Sequence, residues 1–350
     1  MLLPPDGGNP DDDANVADGA LFARPAVVRT FDSPSFAGMT FYEVHAKSIL
    51  NRVPAVSRVP FEWTINPYRG CSHACRYCFA RNTHTYLDLG AGLDFDTKVV
   101  VKVNAPDLLR RELARKSWQG QPVAMGTNVD CYQRAEGRYR LMPGIISALT
   151  EHANPFSILT KGSLILRDLE LLVAASRVTD VSTAVSVGFV DQALWREAEP
   201  GTPNPLKRLE VCHRLNESGV RCGVLMAPIL PGLTDSPDQL AATVEAIAAA
   251  GAVYVTPIVL HLRPGAREWF MSWLSATHPA LISMYQQLYG RSSYAPKAYQ
   301  DDLCSQVREL ATAAGIGRPT SADRTPSHRQ RQQFAQSPAE PEQLTLLAPG

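Results

Sequence analysis

Between residues 60 and 260 the chain alternates two hydrophobic patterns. Short apolar runs bounded by Gly, Pro, Asn or Asp give way to longer stretches whose apolar residues return every three or four positions. The first pattern predicts strands and the second helices. Strands are expected over 62–66, 123–127, 156–159, 181–187, 220–226 and 253–259, and helices over 106–116, 141–152, 164–176, 205–218 and 236–250. Local punctuation agrees: Pro106 and Pro237 stand in first turns, Ser163 at a capping position, and Gly219 and Gly251 just past C-terminal ends. Six strands separated by helices, with short connections, imply an α/β fold with a parallel sheet covered by helices. Six is too few for a closed eight-stranded barrel, so a partial barrel and an open doubly wound sheet both fit. Aromatic-rich helical patterns (WFMSWL, ISMYQQLY, DDLCSQVRELATAA) continue over 266–314 and are expected to pack as a C-terminal extension.

Composition adds boundaries. The 350 residues are 45% hydrophobic and 19% charged, enough apolar material for a sizeable core. Lys+Arg 34 and Asp+Glu 34 cancel, which argues against a protein that coats nucleic acid by bulk charge. Residues 58–116 nevertheless hold ten Lys/Arg against six Asp/Glu, a local excess suited to an anionic substrate, nucleic acid included. No apolar run reaches the ~18 residues of a membrane span. The start, MLLPPDGGNPDDDA, lacks the basic and apolar regions of a signal peptide, so a cytoplasmic protein without a membrane partner is expected. Residues 1–35, rich in Pro, Gly and Asp, and residues 318–350 are expected to be a disordered acidic arm and a disordered tail.

The seven cysteines carry the chemistry. Their odd number and a reducing compartment disfavour a disulfide framework. Cys71, Cys75 and Cys78 are spaced C-x3-C-x2-C in NPYRGCSHACRYCFAR, directly after the first expected strand. Three thiols so close point to metal ligation. A structural zinc site wants four ligands, and no second close pair exists; His73 and His84 flank the loop and read as hydrogen-bonding residues. Thiolates at this spacing suit a [4Fe-4S] cluster, with three irons held by cysteine and the fourth open. Of the other cysteines, Cys212, Cys222 and Cys304 read as packing residues. Cys131, in the loop after the second expected strand, reads as either a hydrogen donor or a bystander.

The cysteine motif, with Tyr77 before its last Cys, resembles the signature of the radical S-adenosylmethionine (radical SAM) enzymes. The ordered stretches INPYRGCSHACRYCFAR, MGTNVDCYQRAEG, ILTKGSLILRDLELL, VSVGFVD, EPGTPNPLKRLE and GVRCGVLMAPILPGLTD resemble the spore photoproduct lyase-like branch over roughly residues 53–265. The resemblance implies a partial (β/α)6 TIM-like barrel over 53–265, followed by the helical extension over 266–317. It implies a [4Fe-4S] cluster on Cys71, Cys75 and Cys78, with SAM chelating the open iron. One electron from a donor such as flavodoxin or ferredoxin would cleave SAM to methionine and a 5′-deoxyadenosyl radical, which takes hydrogen from an unknown substrate.

By the same resemblance, Tyr77 and Pro228 are expected beside the adenine. Thr127, Asn128 and Asp130 are expected near the SAM amino group, Lys161 at its carboxylate and Ser186 as a further polar contact. Arg208 is a candidate to reach cofactor or substrate. The lyases of this branch are expected to carry a donor cysteine before their Thr-x-Asp-like segment. Met125-Gly126 stands there instead, and Cys131 follows Asp130, so DNA photoproduct repair is an alternative reading only. A non-catalytic zinc-binding protein is the other.

Overall fold

The structure, a computed structural model, describes residues 26–54 and 59–317. Its strands are β1 (Val27–Arg29), β2 (Thr40–Val44), β3 (Leu50–Arg52), β4 (Trp63–Ile65), β5 (Tyr68–Arg69), β6 (Lys98–Lys102), β7 (Val123–Met125), β8 (Phe156–Thr160), β9 (Val181–Ser186), β10 (Cys222–Ile229) and β11 (Val255–Val259). Its α-helices are α1 (Leu93–Thr97), α2 (Ala105–Leu113), α3 (Arg134–Tyr139), α4 (Leu141–Glu151), α5 (Leu169–Ser176), α6 (Gln192–Ala198), α7 (Pro205–Glu217), α8 (Pro237–Ala249), α9 (Ala266–Thr277), α10 (Ile282–Tyr289) and α11 (Lys297–Ala313).

The main sheet has the order β11-β10-β9-β8-β7-β4-β3. The six strands from β4 to β11 run parallel, and β3 is added antiparallel at the β4 edge. All six match strands expected from the sequence. The parallel strands follow one another in chain order across the sheet, as a partial barrel requires, and among the described residues no pairing joins β11 to β3. Strands buried on both faces require apolar residues throughout, and β7 (VAM) and most of β10 are buried. α2, α4, α5, α7 and α8 cover the outside, and α11 packs against α8 and β11.

Helix ends follow the sequence chemistry with one exception. Ser236 and Gln239 form the reciprocal capping box of α8, while Gly219 and Gly251 turn with φ of +81° and +67°. Ser163, expected to cap a helix over 164–176, caps nothing. It opens a 3-10 segment (Ser163–Asp168) that leads into α5. In those tighter turns Arg167 meets Glu136 at 2.6 Å and the Tyr132 hydroxyl donates to Asp168 at 3.1 Å. Side-chain partners far away in sequence override the local cap.

A second sheet, β1-β2-β6-β5, was not expected. Part of it corrects the expected N-terminal arm. Residues 27–29 pair antiparallel with β2, and Phe31 and Phe36 pack on Phe41 with ring centroids 5.4 Å away in each case. Residues 1–25, and the expected tail over 318–350, lie outside the described residues.

Candidate active site

The loop that follows β5 carries the cysteine triplet. Gly70 opens it with φ +85°, where a Cβ would lie 2.6 Å from the Lys98 carbonyl, so glycine is required. Cys71 and Cys75 are buried and Cys78 is half-buried. Protein atoms grip the loop from several elements. Cys71 N donates to Phe95 O (2.9 Å), and Arg76 N to Ala198 O (2.9 Å). Gln133, just before α3, accepts from Ser72 N (3.0 Å) and donates to Gly70 O (2.8 Å). Arg81, fully buried, donates to Cys75 O (3.0 Å) and pairs with Asp96 (2.8 Å). Sequence reasoning missed Gln133 and Arg81.

The loop closes one side of a cavity of ≈ 190 Å³ at the C-terminal ends of the parallel strands. Cys71, Cys75, Cys78 and Tyr77 line it together with Thr127, Asn128, Asp130, Lys161, Ser186 and Pro228. Residues scattered over more than 150 positions of sequence therefore meet in one place. Lys161, following β8, donates from Nζ to Ser186 Oγ (2.6 Å), and its ammonium lies 5.7 Å from the Tyr77 ring centroid. Ser186 Oγ, at the end of β9, donates in turn to Ala227 O (3.0 Å). Leu225, Ile258, Leu260 and Phe79 add apolar surface to the lining.

Three of the expected residues are engaged or enclosed within the protein. The Asp130 carboxylate is engaged within the protein: Oδ1 accepts from Tyr132 N (2.8 Å) and Thr160 Oγ1 (2.7 Å), and Oδ2 from Lys161 N (2.6 Å). It pins the loop after β7 to the end of β8, which leaves less of it for a bound ammonium. Cys131 has no exposed surface and is absent from the cavity lining, so the structure does not place it as a donor. Arg208 does not line the cavity either; it is buried against Glu199 and donates to Ser186 O (2.6 Å).

Burial disfavours the charged form of the three thiols and pushes all three up, Cys75 to about 12. Asp130 adds to the effect at Cys71, while Lys161 opposes it at Cys75. Such thiols give up their protons when iron replaces them. Among the described residues no three His, Cys, Asp or Glu side chains group around a single ion. Cysteines of a cluster need no such point, because each holds a different iron. Three soft donors beside a cavity with a lysine, an amide, several hydroxyls and apolar surface fit a [4Fe-4S] cluster with SAM.

The sequence model of the Radical SAM superfamily matches residues 65–244. The chain belongs to the radical SAM superfamily. An uncharacterized protein of Mycobacterium tuberculosis is 52% identical over 309 residues, 87% of this chain and 91% of its own length. An uncharacterized protein of Methanocaldococcus jannaschii is 30% identical over 174 residues, 50% of this chain and 62% of its own. Spore photoproduct lyase complexed with dinucleoside spore photoproduct is similar in fold, with a TM-score of 0.60 at 15% identity over 78% of this chain and 79% of that one. A mutant of that lyase with bound AdoMet gives 0.57 at 15% identity over 73% and 75%. As a radical SAM enzyme the chain takes a [4Fe-4S] cluster and SAM, which removes the zinc-only alternative. Among the described residues no helix is long and apolar enough to cross a membrane.

Proposed function

We propose that this radical SAM enzyme holds its cluster through Cys71, Cys75 and Cys78, binds SAM in the adjoining cavity and acts on a substrate by hydrogen-atom abstraction. The observation that carries this reading is that the three thiols and the Lys161–Ser186 pair line one cavity. Held there, the cluster and SAM would supply one-electron reductive cleavage of the sulfonium and, from it, the hydrogen-abstracting radical. The chain's own residues bind, orient and exclude water. Lys161, held by Ser186, offers a point charge to the SAM carboxylate. Thr127 and Asn128 offer polar groups to its amino end, and Tyr77 and Pro228 bound an apolar place for the adenine. The apolar surface of Leu225, Ile258, Leu260 and Phe79 keeps water from a reactive intermediate. A small reductant protein of the flavodoxin or ferredoxin class supplies the electron.

DNA photoproduct repair is the less favoured reading, because the cavity lining offers no thiol besides the three assigned to iron. Anaerobic reconstitution should give four irons per chain, and dithionite should then drive formation of 5′-deoxyadenosine. A Cys75→Ala protein that keeps a full cluster and still cleaves SAM would overturn the assignment. Turnover of thymine-lesion oligonucleotides would revive the repair reading.

A further inference from the structure

We infer that Glu199 is a positioning residue for SAM: one buried carboxylate joins the cysteine loop to the strand that carries Ser186, and so fixes the two sides of the cavity relative to each other. This rests on the proposed reading of the cavity as the SAM site. Glu199 follows α6 and has no exposed surface; Arg208, on α7, is 1% exposed. The Tyr77 hydroxyl donates to one Glu199 oxygen, and an Arg208 Nη donates to the other. The second Nη of Arg208 donates to Ser186 O at 2.6 Å, and Ser186 Oγ receives the Lys161 ammonium at 2.6 Å. The path Tyr77–Glu199–Arg208–Ser186–Lys161 thus runs behind the cavity, and both of its ends line it. Glu199 and Arg208 themselves do not line it, so they act through the residues they hold.

Two further observations tie the same turn to the cluster loop. Gly201 N donates to His73 O (3.1 Å), alongside the bond from Arg76 N to Ala198 O (2.9 Å). A Cβ on Gly201 would lie 2.1 Å from Ser72 O, so the turn and the loop touch backbone to backbone. A buried ion pair is weak support for stability, because desolvation offsets the attraction. What this pair provides is geometry: a rigid fork that accepts a tyrosine hydroxyl on one side and holds a strand-end carbonyl on the other. Burial opposes the charge on Glu199 most strongly, yet Arg208, Lys161 and the Tyr77 hydrogen bond together hold its carboxyl below the ordinary range. It is therefore a carboxylate at neutral pH, as the fork requires.

The test is a double-mutant cycle on SAM affinity with Tyr77→Phe, Glu199→Gln and the double variant, each reconstituted anaerobically. The readouts are iron content and the SAM dissociation constant, followed through the SAM-induced change in the electron paramagnetic resonance spectrum of the reduced cluster. Iron content should stay at four per chain. Each single change should weaken SAM about tenfold, the cost of one buried hydrogen bond, and the double variant should lose no more than the weaker single one. Additive losses, or unchanged affinity in Glu199→Gln, would overturn the inference. If Glu199→Gln does not fold because Arg208 is left unpaired, Tyr77→Phe decides alone: it keeps the ion pair, and unchanged SAM affinity there overturns the link. Wild-type protein that holds a cluster but binds no SAM would instead overturn the reading of the cavity.

Discussion

Cys131 follows Asp130 in the loop after β7 and has no exposed surface, and burial pushes its thiol well up, with Asp130 and Glu136 adding to the effect. A protonated thiol without access to the cavity is a packing group. Cys131→Ala is therefore expected to cost on the order of 1 kcal/mol of stability and to leave SAM cleavage within twofold of wild type. A thermal melt and a 5′-deoxyadenosine assay check the two halves; loss of cleavage in a protein of normal stability would return Cys131 to the chemistry. The candidate residues that meet at the cavity share one property. Lys161, Ser186 and Pro228 stand in or just after parallel strands, and such ends converge in this architecture. Glu199, Gln133 and Arg81 were not legible, because their partners lie elsewhere in the chain. Nothing local separates Glu199 from Glu197, two positions earlier, which pairs with His278 at the surface. Only the Pro200-Gly201 turn, docked on Ser72, carries Glu199 inward.

At the scale of elements, the six parallel strands were legible because each is a short apolar run between helical periods. The second sheet was not. Its strands lie before the first parallel strand or inside the first crossover, and the pairing that joins its two halves, β2 with β6, spans more than fifty residues. The pattern KVVVK at β6 is nonetheless informative in retrospect: Val99 and Val101 face the core, while Lys98 and Lys102 share the other face with Arg69 of β5, which is paired with Val100. There burial, reinforced by Arg69 and opposed by Glu112, lowers Lys102 from 10.5 to about 8. Between those two pH values the unfolded chain holds the proton more firmly than the fold does. Stability thus rises with pH across that window, and the penalty is complete below about 8. Lys102→Met should raise stability at pH 7 by on the order of 2 kcal/mol and lose this advantage as pH approaches 10.5. Melting temperatures of both proteins across the range check it; a gap that does not close at high pH would show that the gain comes from packing.

For the whole molecule, the feature with the widest consequence is the way the cysteine loop is held. Phe95 beside β6, Gln133 before α3, Ala198 at the end of α6 and Arg81 in the 3-10 helix (Phe79–Leu87) all bond the loop through protein atoms. The loop is therefore expected to keep its shape without a metal, unlike that of a zinc finger, whose fold is made by the ion. Protein stripped of iron by air and chelator should keep its far-ultraviolet circular dichroism, and anaerobic iron and sulfide should restore SAM cleavage without a denaturation step. Collapse of the spectrum on stripping would refute this. The consequence reaches past the enzyme to the cell that makes it. Oxygen is the standing hazard for an iron-sulfur cluster, and with a loop held in this way the damage would fall on a replaceable part. If the loop keeps its shape without iron, a molecule silenced by air would be a vacant but intact mould, recoverable by the supply of iron and sulfide rather than by new protein synthesis.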